Sequence, residues 1–298
     1  MTTLDPHPHV ADAVHENVHE DVHEDVRENV RARYAQAARH TLDLAPAATG
    51  CCGSSAEAMP AVDPITRNLY DEDTPFDAAL AASLGCGNPT ALAQLTPGQD
   101  VLDLGSGGGL DVLLSARRIA PGGTAYGLDM TDEMLELARR HQADAGIPNA
   151  RFLKGTIEHV PLPDASVDVV ISNCVINLSP DKDAVLTEAY RVLRPGGRFA
   201  VSDIVALRPI PTQLRRVVAL WTGCISGALL DADYVAKLTA AGFADAGVEV
   251  TRRYERADLE AMADQLDLGA LPEGKDVSWA IDTLEGAFAS AFVRATKP

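Results

Sequence analysis

Basic residues are scarce in this sequence. The 298 residues include 25 Lys and Arg against 43 Asp and Glu, which gives a formal net charge of −18. Phosphate backbones and anionic membrane surfaces are bound through clustered Lys and Arg side chains. The composition therefore argues against a nucleic-acid or membrane-surface partner.

Long apolar segments are also absent. No run approaches the ~18 consecutive apolar residues of a membrane-spanning helix, and no basic and then apolar leader is present. We therefore expect a cytoplasmic protein. Hydrophobic residues make up 46% of the chain and charged residues 23%, which is ordinary for a globular enzyme with a sizeable core.

Cysteine occurs five times and never in a Cys-x-x-Cys pair, so a structural zinc site is disfavoured. In a reducing compartment all five are expected to be thiols, with a role in ligation or redox chemistry. A free cysteine is ordinarily a small hydrophobe. That explanation fits poorly for Cys86, which stands between two glycines, and for Cys51 and Cys52, which stand in a loop of small residues. The other two are Cys174 and Cys224.

The most informative stretch begins with the apolar run Val101–Leu104, which is short enough to be a buried parallel strand. It ends in a glycine-rich turn, Gly105–Gly109, and a helix-like segment from Leu110 to Ile119 follows at once. Glycines let backbone N–H groups approach a ligand closely, and a helix N-terminus adds the positive end of a dipole. The pattern is typical of a nucleotide-binding βαβ unit.

Two acids flank this turn. Asp103 lies at the end of the first strand, where its carboxylate can face a cationic amino-acid group, and Asp129 ends the next strand, where it can hold a ribose diol. The dinucleotide fingerprint would require glycine at the position of Leu110. The acids and the glycine turn together resemble the S-adenosylmethionine-dependent methyltransferases.

The resemblance implies an α/β fold: the doubly wound, mostly parallel seven-stranded sheet of class I methyltransferases, which is Rossmann-like. The last strand, predicted at Phe288–Thr296, is antiparallel in that fold. An N-terminal helical extension and an inserted cover segment are expected in addition. We predict an extension over residues 1–64, a donor-binding core over 65–205, and a cover segment with the last strands over 206–298.

The same resemblance assigns donor-binding roles. Asp103 and the turn are expected to hold the methionine part of S-adenosylmethionine, Asp129 the ribose, and Ile157 and Glu158 the adenine. Asn173 is expected at the carboxyl edge of the fourth strand, where open α/β sheets bind ligands. The predicted donor-binding residues are Asp103, Gly105, Ser106, Gly107, Gly109, Asp129, Met130, Ile157, Glu158 and Asn173.

Three cysteine-containing segments indicate a particular family among the methyltransferases. Ser83–Pro89, Ile171–Lys182 and Leu220–Leu229 resemble the arsenite S-adenosylmethionine methyltransferases. The likeness extends over roughly residues 65–235, and its motifs lie outside the general methyltransferase pattern.

This resemblance implies that Cys86, Cys174 and Cys224 belong to an arsenic site, with Cys174 and Cys224 as the pair that holds trivalent arsenic. A further N-terminal cysteine of the family matches either Cys51 or Cys52. Arsenic held by thiolates would take the methyl group by in-line displacement, and a thiol reductant such as thioredoxin or glutathione would restore the enzyme.

The chain departs from the family in two places. Many members carry an acid where this chain has Gly223. The N-terminal repeat that contains His15, His19 and His23 is also unlike the family. Its i, i+4 histidines have the spacing of metal ligands on a helix, but we favour a solvated acidic lead-in, because no cysteine or second cluster accompanies them.

Two alternatives stay open. One is a methyltransferase of the same fold that acts on a quinone, a sterol or an amine, with incidental cysteines. The other is a non-catalytic protein that binds arsenite or another heavy metal. Binding of the methyl donor separates the second alternative from the first.

Overall fold

The computed structural model describes residues 27–28, 30–42, 88–89, 93–211, 214, 227–263, 271 and 274–298. The histidine repeat, the predicted boundary at residue 64 and residues 212–213 and 215–226 of the cover segment lie outside these residues. So do four of the five cysteines, which are Cys51, Cys52, Cys86 and Cys224.

Seven strands form one sheet in the order β3-β2-β1-β4-β5-β7-β6. The first five in that order pair in parallel, and β7 pairs antiparallel with both β5 and β6. This arrangement confirms the predicted fold class, including the antiparallel last strand. The strands are β1 (Val101–Leu104), β2 (Ala125–Asp129), β3 (Ala150–Lys154), β4 (Val167–Asn173), β5 (Leu193–Ala206), β6 (Ala244–Arg253) and β7 (Phe288–Thr296).

Helices cover both faces of the sheet. The first, α1, spans residues 27–42, of which residue 29 is not described. The others are α2 (Leu110–Arg118), α3 (Asp132–Ala145), α4 (Lys182–Val192), α5 (Asp231–Ala240), α6 (Arg256–Ala263) and α7 (Val277–Leu284), with a 3₁₀ turn at Ile176–Leu178. Within the described part of the chain, none of them is long and apolar enough to cross a membrane.

Strand residues alternate between two cores, as the twofold period of a strand requires. Leu102, Val170 and Phe199 face the core that α4 and α5 close, whereas their neighbours Val169 and Ala200 face the core beneath α2. Both faces are buried, which explains the nearly continuous apolar runs of the central strands.

The segment from Arg194 to Gly197 is predicted to stop the preceding helix, and that helix does end at Val192. The fifth strand, however, was predicted to start at Phe199, whereas β5 starts at Leu193 and includes this segment. Gly196 adopts φ +78° there, and its N–H donates to the carbonyl of Lys297 at 2.8 Å, so the glycines form an irregularity of the strand. The fourth strand was predicted within Ser166–Asn177, with its end at Asn173 and Cys174; β4 ends at Asn173, which agrees with that end, and the 3₁₀ turn follows.

Candidate active site

The turn after β1 is packed against protein at its start and open at its middle. The N–H groups of Gly105 and Ser106 donate to the carbonyl of Leu128 at 2.8 and 2.9 Å. A side chain at Gly105 would overlap Val175, whereas a Cβ at Gly107 would meet no heavy atom within 4 Å. The backbone at Gly107 is therefore the point at which a ligand can approach the turn.

A second element fixes the same turn. His141, a buried residue of α3, places its Nδ1 2.8 Å from the carbonyl oxygen of Gly108. Gly109 adopts φ +86°, and a Cβ there would come within 2.9 Å of Phe152. The sequence pattern indicated the glycines but gave no sign of this histidine, because its contact is formed 33 residues along the chain.

Asp103 is a buried acid without a partner for one of its oxygens. It is 3% exposed, and its Oδ1 accepts no hydrogen bond. Burial, and then the carboxylates of Asp111 and Asp129, raise the pKa of Asp103 well above its ordinary value. An unpaired charge in such a place is costly, and a cationic group of a ligand would offset that cost.

Asp129, at the end of β2, is held in one orientation by the backbone. Its Oδ2 accepts from the N–H of Gly107 at 2.9 Å, and its Oδ1 accepts from the N–H of Thr131 at 2.8 Å. Burial raises the pKa of Asp129, and these hydrogen bonds act in the opposite direction.

A cavity that opens to solvent lies beside Asp129; about 80 Å³ of it can be reached by the centre of a water molecule. Of the predicted donor-binding residues, it is lined by Gly105, Gly107, Asp129, Met130, Ile157 and Glu158. The lining does not include Asp103, Ser106, Gly109 or Asn173. Asn173 instead donates to the carboxylate of Asp111 at 3.2 Å.

Part of the cavity wall was missed by sequence reasoning. Helix α1 contributes Arg27, Val30 and Tyr34. The turn after β4 and its continuation contribute Val175, Leu178, Ser179 and Pro180. The apolar side of α1, with Val30 and Tyr34 one turn apart, was the available signal, but the sequence does not say where that side packs.

Contacts on both sides of the cavity hold α1 in place. Ala38, with Tyr34 beside it, packs on Met134 and Leu137 of α3. At the other end, the guanidinium of Arg27 lies 3.8 Å from Oε1 of Glu158, which also accepts from the Ser179 hydroxyl at 2.6 Å. The helix α1 therefore forms one wall of the cavity, and Arg27 connects it to Glu158 on the opposite part of the lining.

Cys174 is the one cysteine that the described residues include. It directly follows β4 and is 2% exposed. Its side chain packs with Ile204 and Phe288. It is disulfide-bonded, and its partner lies outside the described residues. The expectation of a free thiol is therefore wrong for Cys174 in this structure, because sulfurs close enough to share a ligand are also close enough to form a disulfide when oxidised.

Other predicted arsenic ligands lie outside the described residues, so their distances from Cys174 stay predictions. Within the described ranges, no group of three or more His, Cys, Asp or Glu side chains is arranged to hold a metal ion.

The sheet order and the acid-flanked glycine turn define a class I S-adenosylmethionine-dependent methyltransferase. Comparison with known proteins agrees with this class, because residues 95–257 match the family model described as a methyltransferase domain.

A crystal structure of an arsenic(III) S-adenosylmethionine methyltransferase from Chlamydomonas reinhardtii is 33% identical, covering 80% of this chain and 74% of that one, with a TM-score of 0.58. The arsenite methyltransferase of Halobacterium salinarum is 44% identical over 212 residues, which are 70% of this chain and 53% of that protein. That of Aquipseudomonas alcaligenes is 39% identical, over 71% of this chain and 60% of that protein.

The chain belongs to the arsenite S-adenosylmethionine methyltransferase family. The matched region spans between 53% and 60% of the length of these two curated relatives.

Proposed function

We propose that this chain transfers a methyl group from S-adenosylmethionine to trivalent arsenic held by cysteine thiolates. The observation that carries the proposal is the position of Cys174. It stands at the carboxyl edge of the sheet, and the next residue, Val175, both lines the cavity and packs against Gly105 of the turn. A sulfur-bound acceptor at Cys174 would therefore be a neighbour of a donor bound in the cavity.

Residues of the cavity and of the turn beside it fit the donor. Asp103 does not line the cavity, but it ends the strand that leads into the turn, and its unpartnered Oδ1 suits the cationic amino group of the methionine part; the open backbone at Gly107 leaves room for a close approach. Asp129 is oriented to accept from the ribose hydroxyls, and Ile157 and Glu158 provide an apolar contact and an acceptor for the adenine. When bound, the donor supplies an electrophilic methyl group on a sulfonium.

For the acceptor we propose Cys174 and Cys224 as the thiolate pair, with Cys52 or Cys86 as a further ligand and Cys51 as the alternative to Cys52. Thiolates prefer soft, polarisable acceptors. Since a free thiol is mostly protonated at neutral pH, arsenic binding must itself drive the loss of the thiol protons.

The transfer itself needs no general base. The lone pair of trivalent arsenic forms the new As–C bond while the electrons of the C–S bond pass to the departing sulfur, which leaves S-adenosylhomocysteine. Holding both reactants in line can supply about 7–11 kcal/mol of the barrier reduction. The arsenic is formally oxidised by two electrons, and a thiol reductant such as thioredoxin or glutathione returns it, and any cysteine disulfide, to the reduced state.

The test is incubation of the reduced protein with arsenite, thiol and labelled donor, followed by speciation of the arsenic products. We expect methylated arsenic from the wild-type chain and none from Cys174→Ser or Cys224→Ser. Cys51→Ser, Cys52→Ser and Cys86→Ser identify the further ligand, because the variant that removes it should lower the yield. Unchanged methylation by Cys174→Ser would contradict the proposal that Cys174 binds the arsenic.

Two binding measurements separate the alternatives. An Asp103→Asn variant should still bind arsenite but should lose donor affinity and product. A wild-type chain that binds arsenite and no donor is a binding protein, and one that binds donor and no arsenite is a methyltransferase of another small molecule.

A further inference from the structure

Cys174 is held in an unusual backbone conformation. Its φ is +60°, in the left-handed region that residues other than glycine seldom adopt. Its N–H donates to the carbonyl of Ser202 on β5 at 2.9 Å. Such a conformation persists only when the surrounding contacts enforce it, so something near Cys174 must hold the chain as it leaves β4.

Asn177, three residues further on in the 3₁₀ turn, provides that hold. It is 3% exposed. Its Nδ2 donates to Oδ1 of Asp203 at 2.8 Å and to the carbonyl of Ile204 at 2.7 Å. Both amide hydrogens are therefore used, and they tie the exit of β4 to the end of β5.

Asp203 is the centre of this network. It is fully buried, directly after Ser202. Its carboxylate accepts from Asn177, from the N–H of Ile204 at 3.0 Å and, at 3.5 Å, from the hydroxyl of Tyr234. Burial raises the pKa of Asp203 to about 7, although the charge of Lys182 and the hydrogen bonds to the carboxylate act in the opposite direction. Keeping an acid in such a place is costly, which is common at functional sites.

The same network meets the end of the cover segment. A Cβ at Gly227 would overlap the carbonyl oxygen of Asn177, so only glycine permits that approach. The N–H of Ala206 donates to the carbonyl of Leu229 at 2.8 Å, and Tyr234 belongs to α5, which begins directly after Leu230. The β4 exit, the β5 end and the returning cover segment therefore meet at Asn177 and Asp203.

We infer that Asp203 and Asn177 are positioning residues for the acceptor: they fix the backbone that aims the Cys174 sulfur, together with the point at which the cover segment returns to the sheet. The inference rests on the proposed role of Cys174 as an arsenic ligand. In this inference, Asp203 and Asn177 contact neither the arsenic nor the methyl donor.

The test compares Asp203→Leu, Asp203→Asn and Asn177→Ala in the reduced full-length chain. Asn149→Ala is the matched control, because Asn149 also donates both amide hydrogens to two carbonyls, those of Ala116 and Gly123, elsewhere in the fold. The measurements are the affinities for arsenite and for the donor, the methylation rate, the thermal midpoint, and the alkylation rate of the Cys174 thiol by mass spectrometry.

We expect Asp203→Leu and Asn177→Ala to lose arsenite affinity about 10- to 100-fold, a loss that exceeds any loss of donor affinity by about tenfold or more. The alkylation rate of Cys174 should change with them. Asp203→Asn keeps an oxygen acceptor for Asn177 and should restore near wild-type values. Asn149→Ala should lower the thermal midpoint and leave arsenite affinity unchanged.

The inference is overturned if Asp203→Leu and Asn177→Ala bind arsenite as the wild type does, or if they lose arsenite and donor affinity in equal measure. If Asp203→Leu does not fold, Asn177→Ala decides. The alkylation rate of Cys174 requires no arsenic, so it tests the positioning role even if Cys174→Ser shows that the proposed function is wrong.

Discussion

The two ends of strand β1 carry acids in opposite circumstances. Just before the strand, Asp100 accepts from Arg194 at 3.0 Å, and the same guanidinium bonds Asp168 at 2.7 Å. Three residues later, Asp103 is buried, and no described Lys or Arg forms an ion pair with it. The amino end of the sheet thus uses its acids to join strands, whereas the carboxyl end keeps an acid without a counter-charge.

The pKa directions separate the acids of the carboxyl edge from a paired acid on helix α4. Hydrogen bonds from Arg191 lower the pKa of Glu188, an acid of the helical layer, whereas burial raises the pKa of Asp103, Asp129 and Asp203 at the carboxyl edge. Unfavourable charges of this kind gather where a ligand is bound. The acids that join strands and the acids that a ligand can use therefore lie at opposite ends of one sheet.

The largest effect is expected for Asp103→Asn, which tests whether this acid serves donor binding rather than stability. Above the raised pKa of Asp103 the substitution removes an unpaired buried charge, so we expect the free energy of unfolding without donor to rise there by about 1–3 kcal/mol, and to change little at lower pH. It also removes the counter-charge for the donor's amino group, so donor affinity should fall by about 10- to 100-fold. Calorimetric titration and thermal unfolding check both. A variant that loses stability as well as affinity would show that Asp103 is a structural acid.

The pH dependence of donor binding is the second test. Because a cation prefers the ionised carboxylate, binding must release the proton of Asp103 at any pH below its raised pKa. Donor affinity should therefore rise with pH, by up to about tenfold per unit for one proton released, and level off above that pKa.

The stability of the donor-free chain should change in the opposite sense. Since the folded-state pKa values of Asp103 and Asp203 exceed the ordinary value of 3.8, the folded chain binds more protons than the unfolded one. Stability should fall as pH rises from about 4, and for Asp203 until about 7. Titrations and melts at several pH values, with Asp103→Asn as the control, check both slopes.

Arg194→Ala is the mirror-image experiment at the amino end. It leaves Asp100 and Asp168 without their shared cation, but both carboxylates are partly exposed, so we expect a loss of only about 1–2 kcal/mol of stability. Donor affinity should not change, because the lost contacts lie at the other end of the strand. Chemical unfolding and donor titration measure the two effects. A loss of donor affinity would show that the two ends are coupled.

Local sequence signals predicted the class, and six of the residues that they assigned to the donor line the cavity. The apolar runs, the glycine turn and the two acids act over short stretches of chain, and the fold confirms the architecture that they indicated. Asp129 illustrates this, because its orientation is set by the backbone of its own strand end and of the glycine turn.

What the sequence could not predict depends on contacts between distant segments. The partners of Asp203 lie 26 and 31 residues away, and His141 meets Gly108 across 33 residues. No short-range pattern encodes such pairings. The wall formed by α1 is a similar case: the periodicity of the helix was visible, but its neighbour was not.

The smallest effect is expected for Arg27→Ala, which tests whether helix α1 takes part in donor binding. Arg27 belongs to α1, lines the cavity and lies 3.8 Å from Glu158. Because Arg27 is partly exposed, Arg27→Ala should raise the donor KM by only about two- to fivefold and leave the arsenite KM unchanged. Arg31→Ala is the matched control, since Arg31 pairs with the exposed Glu28 on the same helix and does not line the cavity.

Initial-rate measurements at varied donor concentration distinguish the outcomes for this helix. If Arg27→Ala and Arg31→Ala raise the donor KM equally, α1 affects donor binding through its total positive charge. If neither raises it, α1 covers the cavity without contributing charge to donor binding. An effect confined to Arg27→Ala would extend the binding region to α1, a segment that belongs to neither end of the sheet. Glu158 would then be a donor-binding acid with a partial counter-charge from Arg27, whereas Asp103 has none among the described residues. The cavity region would thus contain both kinds of acid, paired and unpaired.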